Sequence, residues 1–204
     1  MELTRLKKKL SSARRGHRLL KDKRDELMRQ FMDLVRENEQ LRTEVEQGIE
    51  AANKHMLIAG SVMQTAALET ALLMPKQQAE ITLETKNVMS VSVPVFNTKF
   101  KTADSSDIYS YGTAFTSCDL DGAIEALSDV FPKMLRLAEV EKSCQLLADE
   151  IEKTRRRVNA LEHIMIPNYE ETIKYIDVKL SENERSSNAR LMKVKDMTIS
   201  KSRQ

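Results

Sequence analysis

Apolar residues recur every three or four positions from Leu3 onward, and no proline interrupts the chain between Glu2 and Met74. The stripe reads Leu3, Leu6, Leu10, Ala13, His17, Leu20, Arg24, Leu27, Phe31, Leu34, Asn38, Leu41, Val45, Gly48, Ala52, His55, Ala59, Val62, Ala66, Glu69 and Leu73, and fifteen of these 21 positions are apolar. A heptad seam held for so long predicts one long helix in a coiled coil. At about 1.5 Å per residue, ~73 residues make a helix near 110 Å long. A helix of that length cannot bury its stripe alone and needs a partner. Leu and Phe fill the first half of the seam, while Ala and Gly dominate from Gly48 to Ala67. Small seam residues permit closer packing or leave room for a third element. Pro75 should stop the helix, so residues 1–75 are read as the first arm.

A second stripe runs through residues 119–204. Val140, Cys144, Leu147, Ile151, Thr154, Val158, Leu161 and Met165 keep the spacing, with Thr154 its polar member. Beyond Pro167 it resumes at Tyr169, Ile173, Ile176 and Leu180. The four-residue step from Met165 to Tyr169 is a stutter, which relaxes a left-handed supercoil, and Pro167 should bend the helix there. Pro132 is expected to divide a short helix near 120–130 from the long one. Residues 76–118 differ. ITLET (81–85) and VMSVSVPVF (88–96) are β-branched and alternating, which is strand chemistry, and a further strand is expected around Tyr109–Phe115. Pro94 confines its strand to an edge or a terminus. The whole predicts a mostly α protein. It is a long antiparallel two-helix coiled coil, a helical hairpin, with a small β-hairpin module and a short helix at its distal end.

Composition supports this. The 204 residues include 5 Gly, 4 Pro, 4 Tyr, 5 Phe and no Trp, with 31% charged and 41% hydrophobic residues. That balance suits solvated helices and argues against an α/β enzyme, an all-β sandwich or a disulfide scaffold. Cys118 and Cys144 show no paired-motif spacing and read as reduced thiols. No apolar run approaches the roughly 20 residues of a membrane span, and the basic start lacks a signal-peptide core. The net charge of +2 hides asymmetry: residues 1–24 carry ten Lys/Arg against two acids, and residues 185–204 carry six against one. In an antiparallel hairpin both runs fall at one end, while eight acids against three bases in residues 25–50 form an acidic collar. Singly such runs are solvated helix faces. Two converging at one tip point to docking in an acidic socket.

Catalytic chemistry is not evident. His17, His55 and His163 are the histidines. His17 and His55 lie about 57 Å apart along one helix. If partner residue numbers total about 200, His163 faces the region near residue 37, so the three cannot form one metal site. Polar seam residues such as His17, Asn38 and His55 set register. The glycines are isolated, so no phosphate loop exists. The eleven methionines read as helix-forming filler. The basic tip lacks the interleaved aromatics of nucleic-acid binding.

Two stretches carry a family resemblance: residues 2–31, with GHRLLKDKRDEL (16–27), and residues 152–176, with RRVNALEHIMIP (156–167), followed by LSENERSSNARLMKVK (180–195). They resemble the central-stalk D subunit of V-type and A-type rotary ATPases, and NVMSVSVPVF (87–96) resembles the same family's hairpin. The resemblance implies a rotor axle without bond chemistry or cofactor. Its coiled coil enters a hexamer of catalytic A and B subunits, and its outer end binds the small stalk F subunit and the membrane-ring adaptor. It implies a cytoplasmic chain, peripheral to the membrane, in a complex coupling ATP hydrolysis or synthesis to proton or sodium transport. On this reading Arg14, Arg15, Arg18, Lys193 and Lys195 face the hexamer, and Val88, Met89, Val91 and Val93 face the F subunit or the distal stalk. Family members often have a few residues, including Pro-Thr-Arg, before the equivalent of Met1. The chain is therefore expected to start upstream. It stops soon after ISKSRQ, without the extended basic tail of many eukaryotic members, which implies a bacterial or archaeal type. The rival readings are a generic coiled-coil tether and an enzyme using Lys86, Lys99, Asp104, Asp107 and Cys118.

Overall fold

The computed structural model describes residues 1–73, 78–100, 108–112 and 116–202. Helix α1 spans Glu2–Val62, α2 Thr65–Leu72, strand β1 Ala79–Val88 and β2 Val91–Phe100, and helix α3 Cys118–Ala160. A π-helical turn at Leu161–Met165 leads into α4, Ile166–Ser202. The mostly α helical hairpin with a small β module stands as expected. The residues fall into two compact units: Met1–Asp25 with Glu152–Gln204, and Glu26–Ile151.

In the first unit the opening of α1 lies antiparallel to α4 and the end of α3. Lys7 Nζ meets Asp177 Oδ2 at 3.7 Å, and Arg14 Nη2 meets Glu170 Oε1 at 2.6 Å. The seam residues Leu3, Leu6, Leu10 and Ala13 are only half-buried. Thr154 and Val158 are buried, and the Thr154 hydroxyl has no hydrogen-bond partner.

The second unit has a thicker core. The rest of α1 runs antiparallel to α3, with Glu37 on Arg136 and Glu44 on Lys133. Leu27, Leu147, Ile151 and Val91 form one buried cluster, joined by Phe31, Leu34, Met89 and Val93. Farther along, Gly48 lets the helices approach: a Cβ on it would lie 2.2 Å from Val130 Cγ2. Ala59, Ala71 and Leu120 form a second cluster with Met56, Met63 and Leu68.

The α1 stripe follows the expected seam through Ala52. Beyond it Ala59 stays buried, but the positions on either side shift by one residue, with Met56 rather than His55 and Met63 rather than Val62 turned inward. A straight helix of 3.6 residues per turn drifts against a 3.5-residue repeat. The expected helix to Met74 instead ends at Val62, and Gln64 takes an extended conformation (φ −64°, ψ 137°) before α2. This break brings Leu68 and Ala71 onto Ala59 and Leu120, a tertiary gain that overrides local helix propensity. Pro75 lies outside the described residues.

Pro132 does not divide a helix; it sits inside α3. Its side is exposed, so the carbonyl it leaves unbonded can reach water. At Pro167 the stutter takes the form of the π turn, with the Ile166 N–H bonded to the Leu161 carbonyl.

The strands pair antiparallel in a two-stranded sheet, with Leu83 opposite Phe96, Thr85 opposite Pro94 and Val88 opposite Val91. Both are longer than expected, and the turn falls at Met89–Ser90, inside the stretch read as one strand. Both turn residues have positive φ (50° and 75°), as a two-residue hairpin turn of the I′ kind demands. The Asn87 side chain supports the turn by accepting the Ser90 N–H at 2.9 Å. Residues 109–112 form no strand, and the remainder of that expected strand, 113–115, lies outside the described residues.

Candidate partner-docking surfaces

Three surfaces offer themselves, and the first is the helix pair of the first unit. His17 Nε2 lies 3.3 Å from Glu162 Oε2 across the pair. His163 therefore lies at the level of residue 17, not residue 37, because the residue numbers paired across these helices total about 180 rather than 200. The three cross-links are exposed, and such pairs contribute about 0–1 kcal/mol each. They set register more than stability. Since Lys7 already stands opposite Asp177, α4 runs past the level at which α1 begins. Every residue from 177 to 199 is exposed, with Leu191 at 66%, Met192 at 69% and Val194 at 56%.

The basic residues divide accordingly. Arg14 is held by Glu170, while Arg15 and Arg18 are exposed on α1 and Lys193 and Lys195 on α4. From Glu170 to Lys193 is about 35 Å of helix. The two basic groups thus follow one another along the unit rather than forming one patch.

The hairpin is the second surface. Val91 is buried, and Met89 and Val93 pack on the Leu27–Leu147 cluster; Val88 is half-buried. These four residues are turned to the helices, so the hairpin's free side is carried by Ile81 and Leu83, 46% and 66% exposed. Between hairpin and helices lies a cavity of about 500 Å³ lined by Leu34, Lys86, Val95 and Arg136 among others. Arg136 donates from Nη2 to Glu37 at 2.8 Å and from Nη1 to Glu139 at 2.8 Å. The Glu37 hydrogen bond leads in raising its pKa further.

The third surface surrounds α2. Leu57, Ile58, Val62 and Leu73 are exposed there, Leu73 at 77%. Sequence periodicity missed this patch because it placed Val62 and Leu73 inside the seam. Beneath it the Tyr111 hydroxyl donates to Asp121 Oδ1 at 2.6 Å. Burial first, then Asp121, pushes that phenol's pKa up.

Among the described residues, the candidates of the enzyme reading are not brought together. Lys86 and Lys99 sit at opposite ends of the hairpin, Lys99 facing Glu80, about 20 Å apart at strand rise. Cys118 is exposed at the start of α3, and Asp104 and Asp107 lie outside the described residues. Among the described residues no group of three His, Cys, Asp or Glu could hold a metal ion, and no helix is long and apolar enough to cross a membrane.

Known sequences resolve the ambiguity that surfaces alone leave. The profile of the ATP synthase D-subunit family matches residues 2–196. The V-type ATP synthase D subunit of Clostridioides difficile (strain 630) is 62% identical over 202 residues, 98% of this chain and 90% of that protein. The corresponding D subunit of Acetivibrio thermocellus is 61% identical over 199 residues, with 98% and 90% covered. That of Clostridium botulinum (strain ATCC 19397 / Type A) is 56% identical over 198 residues, with 97% and 92% covered. On a match of this extent, the chain belongs to the ATP synthase D-subunit family.

Proposed function

We propose that this chain is the non-catalytic axle of a V/A-type rotary ATPase, passing torque between a hexamer of catalytic A and B subunits and the ion-translocating membrane ring. The carrying observation is the first unit: a two-helix segment that leaves its own stripe half-buried and extends α4 with exposed Leu191, Met192, Val194, Lys193 and Lys195. Such a surface is stable in water yet incomplete without a sleeve around it. In this reading Arg14, Arg15, Arg18, Lys193 and Lys195 face the bore of the hexamer. A two-helix axle lacks threefold symmetry, so it touches three catalytic interfaces differently. Only such differential contact can shift their equilibria.

The second unit serves the outer end. The exposed apolar residues around α2 seat on the membrane-ring adaptor, and the hairpin region with its flanking helices holds the small F subunit. The chain then works in the cytoplasm at the membrane surface, in the soluble sector of the complex. The test is reconstitution with the A, B and F subunits and the membrane sector, measuring ATP hydrolysis and ion transport together. Arg15→Glu with Arg18→Glu should leave hydrolysis running while transport falls several-fold; unchanged coupling would remove the proposal for the basic face. Deleting residues 81–96 should weaken binding of the F subunit or alter the hydrolysis rate, and a variant normal in both would count against the hairpin's part.

A further inference from the structure

The two outer edges of the hairpin are not equivalent. In a hairpin closed by a two-residue turn, the flanking residues form a bonded pair, and bonded and non-bonded pairs alternate from there. Val88 with Val91 closes this one. Odd-numbered β1 residues therefore aim their N–H and C=O groups at the free edge, as do the even-numbered residues of β2. On β2 that row includes Pro94, which has no N–H, so the edge is interrupted. On β1 it comprises Ile81, Leu83, Thr85 and Asn87, all with donors intact. Residues 79–87 are exposed throughout. A ten-residue open edge with exposed Ile81 and Leu83 is a template for another strand.

The strand's own sequence, AEITLETKNV, names the occupant. When a strand pairs antiparallel with its copy about a twofold axis, outward groups meet outward groups only if partner numbers have an even sum. Pairing centred on Thr82 sets Glu80 against Glu84, and pairing centred on Glu84 sets that residue against itself. Centred on Leu83, Glu80 meets Lys86 twice, Thr82 meets Glu84, Ile81 meets Thr85, and the two Leu83 side chains touch on the axis. Opposite charges directly across a ladder stabilise and like charges destabilise. Pairings centred on Leu83 and on Glu84 each engage nine residues of the strand, more than any other even register, and of these two only the Leu83 register is free of carboxylate repulsion. We propose that the open edge of β1 pairs with β1 of a second copy of this chain in that register, forming a twofold dimer of the chain outside its complex.

The proposal does not rest on the axle reading. It is tested on the full chain alone by sedimentation equilibrium. Mass should rise toward the dimer as concentration goes from about 5 to about 200 micromolar, a range suited to a small interface. Leu83→Pro removes an outward N–H that the hairpin itself does not use, as Pro94 does on β2, and should leave a monomer with an unchanged melting curve. Lys86→Glu should weaken dimerisation about tenfold, and adding Glu80→Lys to it should restore affinity to within about threefold. A wild-type chain that stays monomeric would overturn the proposal. So would a dimer indifferent to Leu83→Pro, or a Lys86→Glu defect that Glu80→Lys does not repair. Should Leu83→Pro fail to fold, the charge-reversal pair decides alone.

Discussion

Helix α1 is packed by two different chemistries. In its opening stretch Leu3, Leu6 and Leu10 remain half-open, and polar cross-links from Lys7, Arg14 and His17 hold the register. In its later stretch Leu27 is fully buried beneath the hairpin and against α3, and Gly48 and Ala59 bring helices together at close range. Two helices alone cannot enclose a seam; a third layer, or side chains small enough to close the gap, can. Along its seam the first unit thus keeps apolar surface half-open for an outside partner, whereas the second closes its seam by internal packing and exposes its apolar residues elsewhere, around α2 and on the hairpin.

The sharpest way to break that contrast is to remove matched leucines. Leu147→Ala should cost about 3–4 kcal/mol, since the side chain is 1% exposed in a packed cluster. Leu6→Ala should cost about 1 kcal/mol, because part of that side chain is already in water. Denaturant melts of both variants settle the matter, and equal losses would erase the distinction between the units. Next in size is Gly48→Ala. Its new methyl strikes the stiff, β-branched Val130 at 2.2 Å, so a loss of about 1–3 kcal/mol should outweigh the helix-propensity gain. Adding Val130→Ala should recover part of that loss, and additive losses would mean the helices do not meet there.

In the first unit the same logic runs the other way. Thr154→Val replaces a buried hydroxyl that lacks a partner and should raise stability by about 1 kcal/mol, read as a higher melting temperature. A drop would show that the hydroxyl is bonded. The smallest effect concerns thiols. Burial, then the charges of Glu37 and Glu141, raises the Cys144 pKa, so maleimide should label exposed Cys118 several-fold faster at pH 8. Equal rates would place Cys144 at the surface.

Much of this was legible in the chain. The seam from Leu3 to Ala52 and the stripe from Val140 to Val158 could be read because burial there depends on periodicity alone. The slip to Met56 could not, since it accumulates from a small mismatch of repeats. The helix break at Gln64 has no proline to mark it, and Gly60 still lies inside α1; the break goes with Leu68 and Ala71 finding a cluster. The Met89–Ser90 turn was hidden for a similar reason: its residues are not those that favour positive φ, and Asn87 supplies the support instead. Pro132 misled because its consequence depends on which side of the helix it occupies. Among the candidate contacts, the charge runs suggested one converged basic tip, whereas Arg15 and Arg18 stand near the level of Glu170 and Lys193 and Lys195 lie farther along α4. Those runs could not reveal that Arg14 is engaged by Glu170 or that Val91 faces inward.

The π turn at Leu161–Met165 sets the azimuth of everything beyond it. Such a turn amounts to one residue inserted into an α-helix, and each residue advances the helical angle by about 100°. Deleting a single residue there would leave the register of Arg14 with Glu170 to be rebuilt and would swing Leu191 and Lys193 about a quarter-turn around the axis. The compass bearing of the exposed tip is thus written in five residues of backbone far from the tip itself.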